Sequence, residues 1–97
     1  MKLNKEEFLT TKLGKELKEC LTKWDEALEA RRRYLEWTAE YQMENMVAVR
    51  CSIQYEVYQM ALKQFYGIEY HFTRTDEYFG MVTEDESDWL FKVERNI

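Results

Sequence analysis

The sequence predicts an α+β protein: a helical hairpin over residues 4–66 packed on a three-stranded antiparallel β-meander over residues 68–95. Three observations predict it. From Lys5 to Tyr66 there is no proline and one glycine, Gly14, among residues that are mostly good helix formers. After Gly67 the texture changes to short β-branched and aromatic runs separated by acidic turns. Ninety-seven residues, 45% apolar and 15% aromatic, suffice for one core in a single domain, 1–97, and exclude intrinsic disorder.

Asn4 is the expected N-cap of the first helix, with Glu6 and Glu7 in the first turn where the helix dipole favours negative charge. Leu13, Leu17, Cys20, Trp24 and Ala27 recur at spacings of four, three, four and three, which draws an apolar seam. Arg31 interrupts it, and Tyr34 resumes it towards Tyr41. An unbroken helix over this region would run for roughly 90 Å, so the chain must reverse. The least apolar stretch, Glu40 to Asn45, is the expected reversal, with Asn45 capping a second helix from Met46 to Tyr66. A rival break lies at Thr22, which with Asp25 fits a capping box and would make three helices. Between Val47 and Val57 apolar residues also alternate at a strand period. Helix is preferred there: Met46, Val49, Ile53, Val57, Met60 and Gln64 form one stripe beside a second of Val47, Cys51, Tyr58, Leu62 and Phe65, as in a broadly buried helix. Gly67 is the expected left-handed C-terminal cap.

The meander is read as strands Ile68 to Arg74, Tyr78 to Thr83 and Trp89 to Glu94, joined by a tight turn at Thr75–Glu77 and a longer one at Glu84–Asp88. Ile68, Tyr70 and Phe72 face one way along the first strand, and Trp89, Phe91 and Val93 share a face on the third. Gly80 would leave bare backbone for another chain to approach.

Residues 1–50 hold ten Lys/Arg against ten Asp/Glu, and residues 51–97 four against nine, so the net charge of −5 belongs to the second half. No apolar run is long enough to span a bilayer, and the start Met1 to Glu7 lacks the apolar stretch of a secretory signal, so the expected compartment is cytoplasmic. Cys20 and Cys51 are then expected to be buried free thiols. Neither sits in a metal-binding spacing, and no metal or other cofactor is expected.

Catalytic patterns are absent. His71, the single histidine, stands in no nucleophile motif, and the carboxylates of 84–88 lack the glycine and ligand pattern of a calcium loop. Arg31, Arg32 and Arg33 fan over about 200° of helix, with Arg32 and Arg33 placed to pair with Glu29, Glu36 and Glu40. With a pI near 4.9, direct nucleic-acid binding is not expected. An enzyme is therefore the least favoured class.

The surplus of tyrosine and tryptophan points to an interface instead. Trp24 and Trp37 lie about 220° apart on a continuous helix, so at least one should be exposed or covered by a partner. The candidate partner-binding residues are Trp24, Trp37, Tyr78 and the acids Asp76, Glu77, Glu84, Asp85, Glu86 and Asp88, and the expected partner is a protein with a basic surface. In size, acidity and lack of catalytic motifs the chain is similar to small phage and mobile-element proteins that inhibit host defence or nucleic-acid enzymes by occluding a surface. The alternative expectation is a homodimer or larger assembly built on the helical seam.

Overall fold

A computed structural model describes residues 4–95. Three helices, α1 (Lys5–Thr10), α2 (Lys12–Arg31) and α3 (Ala39–Tyr66), precede three strands, β1 (His71–Arg74), β2 (Tyr78–Val82) and β3 (Trp89–Glu94), which form an antiparallel sheet in the order β1-β2-β3. The α+β class and the meander are as the sequence predicts.

The expected cap is present, since the Asn4 side chain accepts from the Glu7 amide at 3.1 Å. One turn later the helix breaks, where the sequence predicts that it continues. Thr11 ends α1 and caps α2, its hydroxyl accepting from the Gly14 amide at 3.1 Å. Gly14 permits the fold-back: a Cβ there would lie 2.0 Å from the Phe8 carbonyl oxygen.

The reversal lies at Arg32–Thr38 and not at Glu40–Asn45. Thr38 caps α3 by accepting from the Tyr41 amide at 3.2 Å, while Asn45 sits inside α3 and accepts from Arg31 Nη1 at 2.8 Å. Low apolar content did not stop the helix, because Glu40, Gln42, Met43 and Glu44 are all good helix formers and a cap outranks polarity as a boundary. Thr22 is likewise no break, for its hydroxyl donates to the Lys18 carbonyl inside α2. Residues 46–58 are helical, which settles the strand alternative. Gly67 ends α3 at φ 70°, as expected.

Small side chains set the helix pair. Cys20 and Ala27 of α2 and Ala48 and Cys51 of α3 are buried, and the Cys20 thiol donates to the Cys51 carbonyl at 3.3 Å. Below them Phe8, Leu17, Leu21 and Leu62 meet Tyr70, Phe79, Met81, Leu90 and Phe91 in the main core. Trp24 stacks on Phe72, with ring centroids 4.4 Å apart, and touches Tyr55 at 5.3 Å.

Two strand expectations are corrected. A bulge between Met81 and Val82 sets Phe91 opposite Met81 but Trp89 opposite Val82, so Trp89 faces away from Phe91 and Leu90 joins the core. Gly80 offers no bare patch to another chain: β3 occupies it, and a Cβ there would lie 2.2 Å from the Phe91 carbonyl oxygen.

An ion network ties the helices to the sheet. Asp25, 4% exposed on α2, accepts from Arg74 Nε at 2.9 Å and from Arg95 Nη1 at 2.6 Å, and Glu29, one turn on, also holds Arg74. Asp25 stands four residues after the buried Leu21 and between Trp24 and Ala27 of the seam. A carboxylate set among the seam residues is the signal for this network in the sequence.

Candidate functional site

The expected site residues do not come together. Asp76 and Glu77 are exposed in the β1–β2 turn, while Glu84, Asp85 and Glu86 occupy the β2–β3 turn at the other end of β2. Asp85 is engaged within its own turn, where its carboxylate accepts from the Thr83 hydroxyl at 2.7 Å and from the Ser87 hydroxyl at 2.7 Å and amide at 3.1 Å. These bonds hold its pKa down to about 2. Asp88 pairs with Lys5 and accepts from the Tyr70 hydroxyl at 3.1 Å, so it fastens α1 to the sheet. Its pKa is lowered chiefly by Lys5, and burial, with Asp88 as acceptor, pushes that of Tyr70 up to about 12.

Of the aromatic candidates, Trp24 belongs to the core. Tyr78 lies on the outer sheet face edge-on to Trp89, at 5.4 Å between centroids, with the Lys92 ammonium 4.2 Å from the Tyr78 ring and 5.0 Å from Trp89. Tyr78 and Trp89 are half-buried in that cluster. Trp37 is 80% exposed in the reversal between α2 and α3, beside exposed Leu35. The two tryptophans thus differ because the chain reverses between them and not because they oppose each other on one helix.

A larger apolar surface lies where the sequence predicted burial. In α3 the inward residues Ala48, Cys51 and Leu62 are buried, but Met46, Val49, Ile53, Val57 and Met60 are each 50–70% exposed. The geometry is forced: Leu62 follows Ile53 by nine residues, about 180° round the helix, so a helix covered on one side by α2 and the sheet cannot bury both. Met43, Val47 and Phe65 widen the exposed surface. The second predicted stripe is itself split, with Cys51 and Leu62 inside and Val47 and Phe65 outside. No charged residue interrupts the row from Met46 to Met60; Arg50 and Glu56 flank it on opposite sides.

Among the described residues, no three His, Cys, Asp or Glu side chains are placed to hold a metal ion. His71 is exposed, its Nδ1 3.2 Å from Gln59 Nε2. The Cys20 thiol has its pKa pushed up to about 11, first by burial, and stays protonated at neutral pH. A hollow of about 580 Å³ bordered by Leu9, Lys15, Lys18 and Lys23 is open to solvent. No described helix is long and apolar enough to cross a membrane. Compared with protein-family models, curated proteins and solved structures, the chain matches none of them.

Proposed function

We propose that this is a small protein-binding module whose contact surface is the outer apolar face of α3, extended by Leu35 and Trp37. One observation carries this: five successive large apolar side chains along one helix face stand half or more exposed. Such a surface is unfavourable in water unless another surface covers it, and contiguous apolar patches of this extent mark interaction sites. Exposed methionines suit the role, since their flexible side chains adapt to a partner.

The acidic turns have a secondary part. Glu84 and Glu86 are exposed and would attract a positively charged partner from a distance, but rim charges of this kind alter encounter rate more than affinity. An inhibitor of another protein and an assembly unit both require a face like that of α3. The test is a photo-crosslinking residue placed at Val57 in one variant and at Lys18, on the exposed side of α2, in another, in cells expressing the protein. Protein adducts at Val57 and none at Lys18 are expected. An adduct pattern equal at both positions, or none at Val57, would overturn the assignment of the face.

A further inference from the structure

We infer that the partner of this face is a second copy of the same chain, docked antiparallel about a two-fold axis that passes beside Ile53. The inference rests on the protein-binding role of α3 and adds the occupant and its orientation.

The exposed row reads the same in both directions. Starting from Ile53, four residues either way give Val49 and Val57, seven give Met46 and Met60, and eleven give Gln42 and Gln64. All seven lie within about 40° of the Ile53 direction at 100° per residue, and all seven are exposed. A two-fold interface is self-complementary, so that residue i meets j and j meets i. Two antiparallel copies of α3 centred on Ile53 therefore stack Ile53 on Ile53, Val49 beside Val57, Met46 beside Met60 and Gln42 beside Gln64. Every layer then holds two side chains of one type, and the glutamine amides close each end of the apolar row with a polar pair that can exchange hydrogen bonds.

The spacing supports straight packing. Steps of four, three and four add to eleven, a repeat of 3.67 residues per turn that stays close to the 3.6 of a straight helix across the whole row. Arg50 and Glu56 fall on opposite flanks, outside the layers. The area also suits: Met43, Met46, Val49, Ile53, Val57 and Met60, taken at their exposed fractions, offer on the order of 700 Å², near the roughly 800 Å² that each partner contributes to a standard interface. The reversal of direction also carries the exposed Trp37 of one copy to the α3 end that bears Phe65 in the other. Antiparallel helix dipoles favour the same orientation.

The test uses the purified full chain. Sedimentation equilibrium is expected to give a concentration-dependent dimer, and Ile53→Asp, which sets two carboxylates together at the axis, is expected to raise the dissociation constant at least 100-fold. Because Ile53 is exposed, the helical circular dichroism of the variant serves as a check that it folds, and Ile53→Ser is the milder substitute. Orientation is read by cysteine crosslinking: Val49→Cys mixed with Val57→Cys should give mainly the mixed disulfide. Disulfides forming mainly within each variant would overturn the antiparallel arrangement. A monomer at all accessible concentrations would overturn the second copy as occupant, and crosslinking at Val57 to a different protein would then leave the protein-binding role standing.

Discussion

The two long helices of the hairpin differ in what they bury, six of 20 residues in α2 and three of 28 in α3, and differ further on the outside. Every exposed residue of α2, among them Lys15, Lys18, Glu19, Lys23 and Glu26, carries a charge, whereas the exposed positions of α3 include Met43, Met46, Val49, Ile53, Val57 and Met60. Water completes α2 as it stands. For α3 the same exposure leaves the hydrophobic effect unsatisfied, which is why the proposed contact surface lies on that helix and not on α2. The difference also warns that an apolar stripe announces a contact without saying whether the contact lies within the chain.

The largest effect in this comparison is expected on the covered side of α2. Asp25→Ala strips the shared acceptor from Arg74 and Arg95 and should cost about 3 kcal/mol in urea unfolding, since Arg95 loses its close carboxylate and Arg74 keeps only Glu29. Next comes the direct contrast across α3. Leu62→Ala should cost about 2 to 4 kcal/mol by opening a cavity in the core. Ile53→Ala, on the opposite side of the same helix, should cost under about 0.5 kcal/mol in dilute protein, with a loss that grows at higher concentration as the dimer contributes. Equal costs at both positions in dilute protein would erase the distinction between the two faces.

Below the cost of Leu62→Ala comes Gly14→Ala, expected to lower stability by about 1 to 3 kcal/mol because the new methyl must push α1 off the start of α2. The unfolding midpoint reports it, while self-association should persist because α3 is untouched. The acid dependence of Asp88 is smaller than either core loss. Its folded pKa lies below the ordinary 3.8, so its contribution is present above that value and is lost as pH falls through the folded one. Lys5 and Asp88 are both about two-fifths exposed, which limits the contribution to under about 1 kcal/mol. Asp88→Asn should flatten that part of the acid limb, and added salt should flatten it in the native chain.

Much of the fold was legible because its signals are local. Asn4, Gly67 and the turn at Thr75–Glu77 act within four residues of themselves, and each does what its chemistry predicts. The reversal was misplaced because Glu40 to Asn45 was judged by polarity, while the cap that decides the boundary, Thr38, lies just before it. The bulge that turns Trp89 outward depends on pairing with β2 and has no mark in the β3 sequence. The acidic residues proposed as a partner site are divided by the meander between two ends, and two of them, Asp85 and Asp88, are engaged inside the chain. Trp37 is exposed, as expected of at least one of the two tryptophans. The exposed row of α3 was seen as a stripe and assigned to the interior.

Sequence alone determined the class of the fold, the helical region and its stop at Gly67, the strand order of the meander and the placing of the net negative charge beyond residue 50. These follow from propensity, caps and composition, which operate over a few residues. Tertiary structure decided which face of α3 is covered. Periodicity places Leu62 and Ile53 on opposite sides of one helix but treats both as apolar. Only the position of α2 and the sheet, on the side of Cys51 and Leu62, leaves Ile53 to water.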